Sequence, residues 1–144
     1  MACPFFLPTS LMEASYWPHP ARLPLGAGWK GECGAPGHEG SEPAEDDLRE
    51  SCNLGYAVRC PRLPLVRTSD AVRFSITRDQ GSRLSLGFVC ELGHLPAAFG
   101  TLEYDCLHAV WLSPHPDRNI QKMADCYLQT YLQRRPVTLK NINL

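Results

Sequence analysis

The sequence predicts an α+β domain. A small antiparallel sheet of about four strands is followed by a C-terminal helix, and an irregular Pro/Gly-rich half, stapled by a four-cysteine metal centre, packs against them. Three observations predict this. The 144 residues suit one compact domain of the usual ~100–200 residues. Nine of the 13 prolines and seven of the 11 glycines fall within residues 1–65. Hydrophobic periodicity is confined to the remainder, first with the period of strands and then with that of a helix.

The division near residue 65 recurs in the charge. Residues 1–65 carry 5 basic and 8 acidic side chains, and residues 66–144 carry 9 and 7. The net charge of −1 and a pI near 6.5 exclude a generally basic nucleic-acid binder. No run approaches the ~18 apolar residues of a membrane span. The opening Met1–Pro8 lacks a basic stretch and is cut by Pro4 and Pro8, unlike a secretory signal. A cytoplasmic protein with no membrane partner is expected. It is read as a single domain, 1–144, made of a metal- or cluster-binding segment, 1–65, and a β-meander plus helix, 66–144.

Within the first segment turn signals dominate, as in Trp17-Pro18-His19-Pro20 and Leu25-Gly26-Ala27-Gly28. One helix is expected, capped by Ser41, with Pro43 in its first turn, running through Leu48 and Cys52 and stopping at Gly55. Its acidic start, Glu45–Asp47, suits the positive end of the helix dipole and lacks EF-hand spacing. In the second segment Val72, Phe74 and Ile76 alternate with Arg73, Ser75 and Thr77, and Leu84, Leu86 and Phe88 continue the pattern after a turn at 78–82. Glu91–Ala98 reads as a loop because it holds Gly93 and Pro96. Thr101–Tyr104 and Ala109–Leu112 read as a second hairpin turning at 105–108. Ile120, Met123, Ala124, Tyr127, Leu128, Tyr131 and Leu132 form one face of a helix, preceded by Pro116-Asp117 and stopped by Pro136.

The seven cysteines divide along the same boundary. Cys90 shares parity with the core-facing residues of its strand and Cys126 borders the helix stripe, so both are expected to pack as small hydrophobes. Cys106 has no assignment. Cys3, Cys33, Cys52 and Cys60 lie where there is little core to fill. The odd total and the absence of a secretory signal argue against disulfides, which leaves ligation of zinc or an iron–sulfur cluster by four thiolates. Gaps of 29, 18 and 7 residues contain no closely spaced cysteine knuckle, and such gaps suit the separate corners of a [4Fe–4S] cube better than a structural zinc site. Cys3-Pro4 and Cys60-Pro61 are similar to the Cys-Pro ending a ligand set in bacterial ferredoxins. One isolated N-terminal cysteine joined by later ones also resembles the cluster-stapled nucleases. Their C-x2-C tail and acidic nuclease motif are absent here, so their activity is not carried over. Phe5, Phe6, Trp17, Trp29 and Tyr56 are near the cysteines in sequence and suit a dry shell, while Gly31, Gly34 and Gly55 let backbone N–H groups approach sulfur.

Other constellations have plainer explanations. His19 and His115 sit in Pro-His-Pro turns, expected to be exposed. His38 is a substitute ligand at most, and Cys90/His94 with Cys106/His108 match no zinc-finger spacing. Neither Cys–His pair carries a nucleophile signature, and Glu103 and Asp105 read as an exposed strand face. Arg59, Arg62, Arg67, Arg73, Arg78 and Arg83 form a modest basic run that reads as solvated surface.

The expected function is therefore that of a small iron–sulfur protein. Its [4Fe–4S] cluster is held by Cys3, Cys33, Cys52 and Cys60 and serves electron transfer or sensing with a redox or regulatory protein partner. The alternative is a zinc- or cluster-stapled interaction domain binding a protein or, less readily, nucleic acid. On either reading residues 1–65 bury too little apolar area to offset backbone entropy, so they should order only with the metal.

Overall fold

A computed structural model describes residues 1–13, 19–54, 56 and 60–135. Trp17, Gly55, Arg59 and Pro136, each given a part above, lie outside the described residues. The chain is α+β. Strands β1 (Phe6–Leu11) and β2 (Trp29–Cys33) form a two-stranded antiparallel sheet, and β3 (Ala71–Asp79), β4 (Arg83–Leu92), β5 (Leu95–Asp105) and β6 (Val110–Trp111) form a four-stranded one in the order β3-β4-β5-β6. Between the sheets a single turn of helix, α1 (Glu45–Asp47), widens into a π turn over Leu48–Cys52, and α2 (Arg118–Arg134) ends the described chain.

Four expectations change. The helix placed from Ser41 to Gly55 begins only at Glu45, with Ala44 in the cap position and no side-chain cap. The Ser41 backbone is taken up instead by a bridge to Cys33. The loop expected at 91–98 is strand on both sides of a two-residue turn. Gly93 and His94 both have positive φ, 59° and 66°, the geometry of the type I′ turn whose twist matches a hairpin. The N-terminal half is not irregular throughout, because Phe6 pairs with Cys33 and Leu11 with Trp29 across β1 and β2. Nor does that half lack a core. Ala2, Phe6, Met12, Leu25, Trp29 and Leu48 join Val72, Phe74, Leu86, Cys90 and Leu102 of the larger sheet and Ile120, Met123, Ala124 and Cys126 of α2 in one cluster. Each N-terminal turn contributes one or two of these side chains, so their sum has no period to detect in sequence.

The helix α2 is capped as expected. The Asp117 carboxylate accepts from the N–H groups of Asn119 (2.8 Å) and Ile120 (3.2 Å), satisfying two of the orphan donors of a first turn. Its buried face is rotated from the expected stripe: Cys126 and Thr130 are buried, and Tyr127 and Tyr131 are only partly covered. The rotation follows from packing on two sheets rather than one, since α2 lies against both β1 and β3; Thr130, whose hydroxyl donates to the Tyr127 carbonyl (2.8 Å), is buried beside the Leu25 carbonyl (3.3 Å). At the outer edge of β3, Ala2 forms a two-way bridge with Val72, N–H to carbonyl at 2.8 and 2.9 Å. This bridge sets Cys3 beside the sheet.

Candidate metal centre

Cys3, Cys33, Cys52 and Cys60, distant in sequence, line a single pocket with Phe5, Phe6, Pro43, Asp47, Ser51 and Arg62. Each thiol is positioned by a different local device. Cys3 follows the Ala2 bridge and opens a turn closed by Phe6 N–H donating to its carbonyl (3.1 Å). Its sulfur accepts from the N–H groups of Phe5 and Phe6, and Pro4 between them and Cys3 removes a competing donor. Cys33 ends β2 opposite Phe6. Its sulfur accepts from Ala35 N–H (3.4 Å), and its backbone closes the 33–41 loop through Ser41 (2.8 Å) and Gly40 (3.0 Å).

Cys52 ends the π turn, and its carbonyl accepts from Cys3 N–H (3.1 Å), which ties the first and third thiols through the main chain. Cys60 starts a turn in which Leu63 N–H donates to its carbonyl (3.1 Å). Two residues with no signal in the sequence hold these pieces in register. Asn53 is 1 % exposed. Its Oδ1 accepts from Trp29 N–H (3.0 Å), and its Nδ2 donates to the carbonyls of Trp29 (2.9 Å) and Leu48 (2.8 Å). The turn carrying Cys52 is thereby fastened to the strand carrying Cys33. Asn119, at the start of α2, donates to the Phe5 carbonyl (2.8 Å), which also accepts from Gly34 N–H (2.7 Å). A Cβ on Gly34 would lie 2.5 Å from Asn119 Nδ2 and 3.0 Å from the Phe5 oxygen, so any larger residue here would press on the bond between them.

The electrostatics follow from the convergence. Burial pushes the Cys3 thiol up to about 11; the Phe5 N–H opposes this, and Cys33 and Cys60 nearby add to it. Burial also pushes Cys52 up to about 12, reinforced by Cys3, Cys60 and Cys33. Cys3 and Cys52, raised in this way, remain thiols when alone, and a cation reverses that balance because the thiolate is the ligand. All seven cysteines stand as free thiols. As the side chains stand, no group of three or more His, Cys, Asp or Glu among the described residues is arranged to hold a metal ion. A tetrahedral all-sulfur zinc site, with bonds of ~2.3 Å, needs sulfurs about 3.8 Å apart. The thiols must therefore close on the pocket centre to coordinate. The donor set is all sulfur and the pocket offers about 20 Å³. An all-sulfur donor set suits zinc and an iron–sulfur centre alike.

The remaining candidates separate from this site. Cys90 and Cys126 are 5 % and 2 % exposed and sit in the core; burial raises both thiols, Cys126 to about 12. The Cys106 sulfur accepts from Arg135 (3.8 Å), which pairs with Asp79. His19 and His38 are exposed, whereas His115, expected to be exposed, is half-buried edge-on against Phe88. His94 stacks on Tyr56 with ring centroids 4.1 Å apart. Glu103 accepts from the Ser85 hydroxyl, and Asp105 pairs with His108 at 2.6 Å. Arg73, Ser75 and Thr77 face solvent as expected. No helix among the described residues is long and apolar enough to cross a membrane. No family model, curated protein or solved structure matches this chain.

Proposed function

We propose that Cys3, Cys33, Cys52 and Cys60 form a four-thiolate centre that holds one zinc ion as the structural staple of an interaction domain. The observation that carries the reading is the convergence of four thiols, from four separate turns, on one small pocket of about 20 Å³. The thiols bind; the Phe5, Phe6 and Ala35 N–H groups donate to sulfur and spread its charge; Arg62 in the wall offsets part of the negative charge of four thiolates. When bound, zinc supplies no redox chemistry and contributes folding free energy. Binding of a protein partner is supported by the loop that leaves Cys60. It presents Leu65 and Val66 at 97 % and 93 % exposure and is held by Arg67, which donates to the Pro64 carbonyl (2.7 Å) and pairs with Asp70. A rigid apolar loop of this kind binds with little ordering cost.

Zinc, iron and acid-labile sulfide analysis of anaerobically purified protein tests the reading. The expected result is one zinc per chain and no visible absorption. Serine at any one of Cys3, Cys33, Cys52 or Cys60 should remove the metal, while Cys90→Ser and Cys126→Ser should retain it. Iron and sulfide in place of zinc would transfer the site to an electron-transfer or sensing [4Fe–4S] cluster. A metal-free protein under all conditions would overturn the centre itself.

A further inference from the structure

Of the four thiols that line the pocket, Cys3 and Cys52 are joined through the main chain. Cys3 N–H donates to the Cys52 carbonyl (3.1 Å), whereas among the described residues Cys33 bonds to Ser41, Gly40 and its strand partner, and Cys60 to Leu63. A main-chain bond of this kind sets two Cα atoms roughly 5–6.5 Å apart, as in ladders and helices. That lies within the ~4.4–6.8 Å over which a disulfide closes. Closure also requires the two side chains to converge, and both line one pocket. Each backbone is held where it stands. Ala2 is bridged to Val72 on one side of Cys3, and Phe6 N–H closes its turn on the other. The buried amide of Asn53 fastens the Cys52 turn to β2. Cys3 and Cys52 are partly open to solvent, while Cys90 and Cys126 are buried. Oxidation of cysteine follows exposure, so an oxidant that reaches this pair is kept from the core cysteines.

We propose that Cys3 and Cys52 are the site of a reversible disulfide, formed when a hydroperoxide reaches the pocket. One sulfur attacks a peroxide oxygen. The S–O bond forms, the O–O bond breaks, and the displaced hydroxide leaves as water with the thiol proton. The partner sulfur then attacks the sulfenic sulfur. The S–S bond forms, the S–O bond breaks, and a second water leaves with the second thiol proton. The two sulfurs together give up two electrons and the peroxide accepts them. The bridge withdraws two of the four ligands of the centre, so oxidation releases the metal. That consequence rests on the zinc reading above; the pairing itself does not.

The full chain as purified, treated with hydrogen peroxide and then with N-ethylmaleimide to block the remaining thiols, tests this by peptide mapping without reductant. The expected result is loss of two of the seven thiols and a pair of peptides joined at Cys3 and Cys52. Zinc should pass to a chromogenic dye in step with the bridge, and dithiothreitol should restore both thiols. A first bridge that joins Cys3 or Cys52 to any other cysteine overturns the proposal. So does oxidation that runs to sulfinic acid with no bridge. A Cys3–Cys52 bridge in a chain that carried no zinc upholds the pairing while the zinc reading fails. Zinc released by peroxide without this bridge refutes the pairing and leaves the zinc reading standing.

Discussion

Replacing Asn53 by alanine tests how the candidate centre is held together. The Asn53 amide makes three hydrogen bonds of 2.8–3.0 Å in a site 1 % exposed. After truncation the Leu48 carbonyl keeps the Asn53 main-chain N–H as a partner (3.0 Å), but the N–H and carbonyl of Trp29 lose theirs. A buried main-chain group left without a partner costs about 1–3 kcal/mol, so Asn53→Ala should lose about 2–6 kcal/mol. Set against a total of ~5–15 kcal/mol for a typical domain, that is a large fraction. Asn53→Asp keeps the shape but turns an acceptor toward the Trp29 and Leu48 carbonyls, and it should destabilise at least as much. Urea denaturation followed by tryptophan fluorescence checks both: the midpoint should fall with the slope unchanged. A loss below about 1 kcal/mol for alanine, or an aspartate variant as stable as the parent, would refute the reasoning that this amide fastens the Cys52 turn to β2.

Three further outcomes are expected. Burial alone would raise the Asp79 carboxyl, but hydrogen bonds from Arg135 (2.7 and 3.2 Å), Tyr131 (2.6 Å) and Gly81 N–H (2.9 Å) hold it below the ordinary carboxylate range. A depressed folded-state pKa gives stability that is fully present above the unfolded value of ~3.9 and lost as pH falls through the lower folded value. Asp79→Asn should therefore flatten the acid side of a stability–pH curve measured by urea denaturation. Gly34→Ala forces a Cβ against the Phe5 carbonyl and Asn119; it should cost about 1–3 kcal/mol and speed metal loss to a chelator, read by zinc-dye titration. Asp117→Ala removes the acceptor for two first-turn N–H groups and should cost about 1 kcal/mol, seen as a thermal midpoint lower by a few degrees.

The C-terminal half was legible in the sequence because its elements bury one face at a time. Val72 and Phe74 flank the exposed Arg73, Leu84 and Leu86 keep the same two-residue period, and Pro116-Asp117 marks the start of α2. The sequence marks 91–98 as a loop because Gly93 and Pro96 signal an interruption of a strand, whereas in the fold Gly93 supplies positive φ for a two-residue turn and Pro96 lies on an edge strand. The N-terminal half was not legible for a different reason. Phe6, Leu25, Trp29 and Leu48 reach the core from separate turns, so no local window contains their pattern. The grouping of Cys3, Cys33, Cys52 and Cys60 apart from Cys90 and Cys126 came from composition alone. Asn53, Asn119 and the Arg135–Asp79 pair act across 24 to 114 residues of chain and leave no local mark.

The class of the fold, the first hairpin of the second half, the cap of α2 and the two core cysteines all follow from residue order. Each depends on the preferences of neighbouring residues. Two other outcomes emerge only when the chain is folded: Cys3, Cys33, Cys52 and Cys60 meet in one pocket, and the N-terminal half shares the core of the sheet. Those outcomes depend on contacts between residues far apart in the chain, where geometry is set by loop closure and hydrogen bonds such as those of Asn53. Residue order alone does not encode such distances.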